Sequence, residues 1–404
     1  MKLSSLEKDM LSGSHGEAVK FAMKLVVKIG EIYKAKELIE ISSSHILAHY
    51  GSLHDAGIDF MEKLVQLGAK CKVPTTVDPS SLPKDWKDLK IPEEYAKKQK
   101  TLYDLTAKMG VIQNWSCTPY ECGNVPRFGQ NIAWAESSAV AYTNSVIGAR
   151  TNRTPAGLDI SAAITGRMPK IGLYLDQNRI GEILIKVNLS EISDLDYHTI
   201  GYIVGKEVGT NIPVFHGIPK SCSNYNLKCL GSAAASSGAV SMFHIIGVTP
   251  EAIMCDPFNH KKPKYTIEID NSKIEKATNE LSTLKKDVID LVTIGCPHLS
   301  LEELANLKNL LKDKKIKKDV KFWIYTSQSV YSTAREMGIV QEIEKTGAEF
   351  QVQTCPVISP LYFYGFKGMM TNSAKNANVV PTEHNINVIY RNIFNCISFA
   401  TKRE

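Results

Sequence analysis

The stretch VIDLVTIGCPHLS, residues 288–300, decides the fold. An apolar, β-branched run stops at Gly295, a cysteine and a proline follow, and Ser300 opens a segment with helical spacing. Such a run, bounded by a turn, reads as a buried strand that passes through a loop into a helix. The same alternation surrounds it. YTIEID (265–270) precedes a helix near 273–286; KFWIYTSQSV (321–330) leads to a helix through AREMGIVQEIEKTG (334–347), and EFQVQTCPV (349–357) closes the series. Strand, helix and strand in turn predict an α/β chain with a parallel sheet.

Upstream, residues 16–40 carry apolar positions at three- and four-residue spacing, and 58–73 move from a helical period into a short apolar strand. Between them lies ISSSHILAHYGS (41–52), a polar segment after an apolar run, where a strand's carboxyl end is expected to turn into a ligand-binding loop. Residues 112–250 are poor in charge and rich in Gly, Ser, Ala and Asn, which suits close backbone approach at the edge of a buried core. Three units follow: an N-terminal α/β domain at 1–111, a Gly/Ser-rich core at 112–262 and a C-terminal α/β domain at 263–404.

At 404 residues, 43% hydrophobic and 22% charged, the chain is a folded, enzyme-sized body rather than a disordered or fibrous one. Its net charge of +6 lies in Lys-rich stretches (84–100, 307–321) that alternate with apolar residues, so it predicts solvated helices, no nucleic-acid arm and a leaning toward anionic substrates. No signal-peptide pattern opens the chain and no run of about 18 apolar residues occurs, which predicts a cytoplasmic protein with no membrane partner. Nine scattered cysteines favour thiols or metal ligands over disulfides.

Cys117, Cys296 and Cys355 each precede a proline by one or two residues, and Cys255 fits the same loose pattern. A proline fixes the turn that presents a ligand, but without a CxxC pair each cysteine also reads as a small buried hydrophobe. Asn144, Ser145, Arg150, Asn152, Arg153 and Arg167 stand in a nearly uncharged stretch and suggest an anion site, since guanidinium forks match carboxylates and phosphates; the alternative is structural pairing with Glu136 and Asp159. In TNSAKN (371–376), Ser373 and Lys375 hold an anion or cap a helix. HExxH, G-x-S-x-G, G-x-x-x-x-G-K-[ST] and G-x-G-x-x-G are missing, which argues against zinc hydrolases, serine hydrolases and nucleotide enzymes.

Taken in order, GSHGEAVKFAMKLVVKIGEIYKAKELIEISSSHI, VPTTVDP, SCTPYECGNVPRFGQNIAWAESSAVAYTNSVIGARTNR, AAITGRMP, SSGAVSMFHIIGVTPEA, IGCPHLS, TCPV and TNSAK resemble the aconitase X family over nearly the whole chain. The resemblance implies an aconitase-like fold, several α/β domains with parallel or mixed sheets around a central iron–sulfur site. It also implies a [4Fe-4S] cluster on Cys117, Cys296 and Cys355 in preference to Cys255, one iron being left open as a Lewis acid. The implied activity is a hydro-lyase acting on a phosphorylated hydroxy acid, mevalonate 5-phosphate, in archaeal isoprenoid synthesis. Catalytic candidates in the matching motifs are Ser42, His45, Thr75, Thr76 and Lys375, and substrate-binding candidates are Asn144, Ser145, Arg150, Asn152, Arg153 and Ser373. Glu404 comes soon after TNSAK, so the family's small swivelling domain is expected as a separate small subunit supplying a serine base. Two positions depart from the family pattern: Gln353 replaces Asp before Thr-Cys, and Thr-Pro-Ala-Gly follows the Arg-Thr-Asn-Arg motif. Dehydration of cis-3-hydroxy-L-proline is a second reading within the family, and a non-catalytic iron–sulfur or RNA-binding regulator is a third of another class.

Overall fold

In the computed structural model, which describes residues 1–283 and 288–401, the strands fall into four sheets. Leu291–Leu299 is the middle of the largest, five parallel strands in the order Glu349–Val352, Lys321–Thr326, Leu291–Leu299, Gly368–Thr371, Asn387–Tyr390. Every residue of that middle strand is buried, as a parallel strand covered on both faces requires. Ser300 ends it and caps Leu301–Leu311: its hydroxyl accepts from Glu303 N, and the Glu303 carboxylate accepts from Ser300 N.

A second parallel sheet runs His244–Ile245, Pro213–His216, Ile183–Val187, Thr266–Ile269, and a third runs Thr75–Val77, Ser44–Ile46, Ala133–Trp134. The fourth is the antiparallel pair Leu38–Glu40 and Arg167–Pro169. One apolar core, including Phe215, Leu230 and Phe243 on one side and Trp323, Tyr325 and Tyr390 on the other, joins the second sheet's unit to the five-stranded one. In the second unit the helices Asp194–Val208 and Asn224–Ser237 touch backbone to backbone. A Cβ on Gly205 would stand 2.5 Å from Ala234 O, and one on Gly238 only 1.9 Å from Gly205 O.

The structure corrects several expectations. ISSSHILAHYGS is not a loop after a strand, because Ser44–Ile46 is itself the central strand of the three-stranded sheet, tied by Ser44 Oγ to Ala133 O at 2.8 Å. The strand expected by residue 73 falls at Thr75–Val77, since the N–H groups of Lys72 and Val73 donate to Ala163 O instead of a sheet. The helix near 273–286 is Asn271–Glu280, capped by Asp270, and 284–286 lie outside the described residues. Nor do the sheets divide at 111/112 and 262/263: Ala133–Trp134 pairs back to the first unit and Thr266–Ile269 completes the second. The last unit, expected to run to 404, is described through 401. No described helix is long and apolar enough to cross a membrane.

Candidate active site

Three loops bring the sequence's three favoured cysteines together. Cys117 follows Ser116, whose N–H donates to Val77 O at 3.0 Å; Cys296 stands where the middle strand's register shifts between Ile294 and Leu299; Cys355 follows Glu349–Val352. All three are free and buried, at 7%, 8% and 8% exposure, whereas Cys255 is exposed. Burial pushes each thiol up, and the thiols act on one another: Cys355 and Cys296 raise Cys117 further, and Cys296 raises Cys355. They therefore sit within range of each other's charge. The Lys375 ammonium pulls Cys296 and Cys355 back down, which favours the thiolate a metal needs.

His298 ties the three loops into one body. Its backbone N–H donates to Cys117 Sγ at 3.3 Å, its Nδ1 meets Ser116 Oγ at 3.2 Å, and its Nε2 meets Thr354 O at 2.8 Å. The ring is fully buried and burial depresses its pKa to about 4, so it is neutral at pH 7 and serves as one donor and one acceptor. Its carbonyl accepts from Lys228 Nζ at 3.0 Å. Lys228 also pairs with Glu303 at 2.7 Å and Glu121 at 3.5 Å, so this buried lysine of the second unit holds the first and third as well. His298→Ala is expected to leave Thr354 O without its partner, take one of three from Ser116 Oγ, which keeps Thr118 N and Oγ1, and leave a void, costing about 2–4 kcal/mol by urea unfolding and opening Cys117 to faster alkylation in the native state. Unchanged stability and alkylation would remove this role.

The carboxyl edge of the three-stranded sheet faces the same place. His45 Nδ1 meets Thr76 Oγ1 at 2.8 Å, and Asn124 Nδ2 donates to Thr76 Oγ1 at 2.9 Å. His45 Nε2 and His49 Nε2 flank the Asp78 carboxyl at 3.9 and 3.6 Å. Burial lowers both imidazoles to about 4, and burial with the Glu136 charge pushes Asp78 well up. This group is thus a neutral, proton-holding cluster in which His45 Nε2 and Asp78 Oδ1 lack hydrogen-bond partners. Lys375 Nζ donates to Glu136 Oε1 at 2.9 Å and Ser138 Oγ at 2.8 Å. Burial opposes its charge, but Glu136 and Cys296 outweigh burial and keep it an ammonium. Ser373 caps Ala374–His384 by accepting from Asn376 N at 3.3 Å, and its hydroxyl lowers Cys296.

The remaining predicted residues lie elsewhere. Ser42 is exposed and gives its hydroxyl to Asn131 O at 3.2 Å, at the amino edge of the same sheet, opposite the side where parallel sheets bind ligands. Thr75 Oγ1 donates to Val73 O at 2.8 Å. Asn144 donates to Thr151 O and Ser241 O, each at 2.9 Å, and accepts from Arg179 Nη1 and Thr151 N, which uses its full hydrogen-bonding capacity. Ser145 Oγ accepts from Phe243 N at 2.8 Å, and Asn152 accepts from Leu173 N and donates to Ile171 O. The arginines do pair structurally, though with other acids than Glu136 and Asp159: Arg150 with Asp176, Arg167 with Glu7 and Glu40. Arg153 is exposed and makes no hydrogen bond or ion pair among the described residues; it precedes Thr154, whose N–H donates to Trp134 O, and so stands toward the sheet's carboxyl edge.

Asp78 and Lys228 were not singled out by sequence, although Asp78 stands next to last in VPTTVDP; His49 and His298 stood out only as histidines near Ser- or Gly-containing turns, and Glu136 only as a structural partner for the arginines. Gln353 sits in the left-handed region at φ 68° and works through its carbonyl, which accepts from Ser80 N at 2.8 Å.

Three parallel α/β units closing on one buried cysteine group define a multidomain α/β protein built around a thiol site. The chain belongs to the aconitase X family: its first-, second- and third-domain models match residues 1–177, 181–279 and 289–402. It is 38% identical over 401 residues to the phosphomevalonate dehydratase large subunit of Methanocaldococcus jannaschii, covering 97% of this chain and 98% of that one. It is 34% identical to the cis-3-hydroxy-L-proline dehydratase of Pseudomonas aeruginosa, covering 99% of this chain and 70% of that one. The crystal structure of Thermococcus kodakaraensis aconitase X in its holo-form superposes with a TM-score of 0.90 at 34% identity, covering 99% of this chain and all of that one. The expected aconitase-like α/β fold is therefore borne out.

The residues present fit an iron–sulfur cluster. Among the described residues no three His, Cys, Asp or Glu side chains close around a single ion. Three buried thiols near enough to act on one another's charge, with a backbone N–H on one sulfur, are the kind of donors that hold such a cluster.

Proposed function

We propose that this chain is the large subunit of a dehydratase that converts mevalonate 5-phosphate to trans-anhydromevalonate 5-phosphate, with a [4Fe-4S] cluster on Cys117, Cys296 and Cys355. What carries the reading is the placement of these three thiols on a chain that matches the Methanocaldococcus relative from end to end. When bound, the cluster supplies an open iron as a Lewis acid for the departing hydroxyl.

The chain's own residues do the rest of the positioning. Lys375, held as an ammonium by Glu136, presents positive charge beside the cysteines and orients a substrate carboxylate. Arg153, exposed and unpaired among the described residues, is the arginine of the predicted set free to take a phosphate. Elimination removes a proton from the carbon next to the carboxylate and the hydroxyl from its neighbour. His45 Nε2, neutral and facing Asp78 Oδ1, relays that proton away from the site. The words "large subunit" in the relatives' names support a separate small subunit that closes the site and supplies the base.

The Pseudomonas relative keeps a second substrate, cis-3-hydroxy-L-proline, in view. Anaerobic turnover of both compounds by the chain with its small subunit separates the two. Mevalonate 5-phosphate is expected to be consumed, and Cys296→Ala is expected to lose both turnover and the cluster's visible absorbance. Turnover of hydroxyproline alone would sink the proposal in favour of that second reading.

A further inference from the structure

Between the second and third units lies a cavity of about 720 Å³, within the size range of small-molecule sites. None of the three cysteines lines it, and the Lys228 ion pairs and His298 separate it from them. The carboxyl edges of two parallel sheets face each other here. Ser193, Ser223, Ser300 and Asn392, the caps of helices Asp194–Val208, Asn224–Ser237, Leu301–Leu311 and Ile393–Ala400, all open on it. In the five-stranded sheet the chain fills one side of Leu291–Leu299 before crossing to Gly368–Thr371 on the other. The cavity lies at that switch, lined by Ile294 and Leu299 from one strand and by Asn372 just after the other, which is where open α/β sheets take ligands.

A second observation is independent of the topology. His198 lines this cavity at 2% exposure, and neither of its ring nitrogens has a hydrogen-bond partner. A buried imidazole with both nitrogens unpaired costs free energy that a ligand would recover. Burial holds this ring neutral, with a pKa of about 3, so it offers one donor and one acceptor at pH 7.

The lining sets the ligand's character. Asp194 and Glu302 line the cavity without an ion pair among the described residues, Glu303 and Glu121 already hold Lys228, and no Lys or Arg lines it, so an anionic head meets net negative charge although helix N-termini alone would attract one. The first-turn carboxylates already answer those dipoles, Glu303 by the capping box with Ser300. Leu307, Leu310 and the exposed Phe394 supply an apolar surface. We infer that the cavity is a second binding site, distinct from the cysteine site, for a molecule with an uncharged hydroxyl-bearing head against His198 and an aliphatic tail along Leu307 and Leu310.

The full chain titrated calorimetrically with octyl glucoside, below its micellar concentration, tests this, with octyl sulfate as the charged probe of equal tail length. Saturable one-to-one binding of the glucoside is expected, with octyl sulfate binding about tenfold weaker or worse. His198→Leu should weaken the glucoside about tenfold, the loss of one hydrogen bond, and Leu310→Trp, at a partly buried position, should fill the tail's space and abolish binding. Absence of saturable binding, tighter binding of the sulfate, or binding that both variants leave unchanged would each overturn the inference.

Discussion

Lys375→Met is expected to lower stability by about 3–5 kcal/mol at neutral pH, read as a fall in the urea midpoint, because it leaves the Glu136 carboxylate buried without its counter-charge. Glu136 is 6% exposed and keeps only local N–H and hydroxyl donors once the ammonium is gone. Burial pushes its pKa up, but Lys375, helped by backbone N–H donors, outweighs burial and holds it below the usual carboxylate range. A carboxyl depressed in the folded state contributes stability that is complete above its unfolded pKa and disappears as pH falls through the folded value. The gap between wild type and variant should therefore be widest near pH 7 and close in acid. Adding Glu136→Gln to Lys375→Met should return much of the loss, since a neutral amide is cheaper to bury than a lone charge. A gap that stays constant with pH would show that packing, not charge, is what Lys375 contributes.

Lys228→Met is the second large effect, again about 3–5 kcal/mol, and its form differs. Lys228 sits at 2% exposure and stays charged against burial because Glu303 and Glu121 face it. Removing it leaves two carboxylates without their counter-charge and takes a donor from the His298 carbonyl, and these groups belong to two other units of the fold. Unfolding followed by tryptophan fluorescence and by circular dichroism should then separate into non-coincident transitions, the mark of lost cooperativity between domains. Lys228→Met combined with Glu303→Leu should recover part of the midpoint, as replacing both partners of a buried pair with apolar groups often does. Coincident transitions at an unchanged midpoint would mean the units do not depend on this lysine.

Much of the fold was legible because the chain announces its strands in local terms. Leu291–Leu299 and Lys321–Thr326 are apolar runs with cap residues directly after them, and such signals need no tertiary information. Ser44–Ile46 was not legible, because a strand containing Ser and His is polar only by composition; Ala133, Thr76 and Asn124 satisfy its groups from far along the chain. The cysteine site stood out through its motifs alone, since spacing did not separate Cys255 from the other three. Arg150 and Arg167 looked unpaired in sequence for a physical reason. Charges in an uncharged segment look unpaired in sequence, yet Glu7, Glu40 and Asp176 reach them from elsewhere in the chain. The roles of His298 and Lys228 were not legible for the converse reason, their partners being a sulfur, carbonyls and acids contributed by different units.

The two helices that touch backbone to backbone in the second unit have a consequence for heredity. Gly201, Gly205 and Gly238 each face a carbonyl at a distance no side chain survives. Every single-nucleotide missense change in a glycine codon encodes a larger residue, so these three codons have no neutral missense neighbour. A library of random point mutants selected for folded protein should come back silent there, while Gly123 and Gly129, which face open space, keep at least the room for a methyl group.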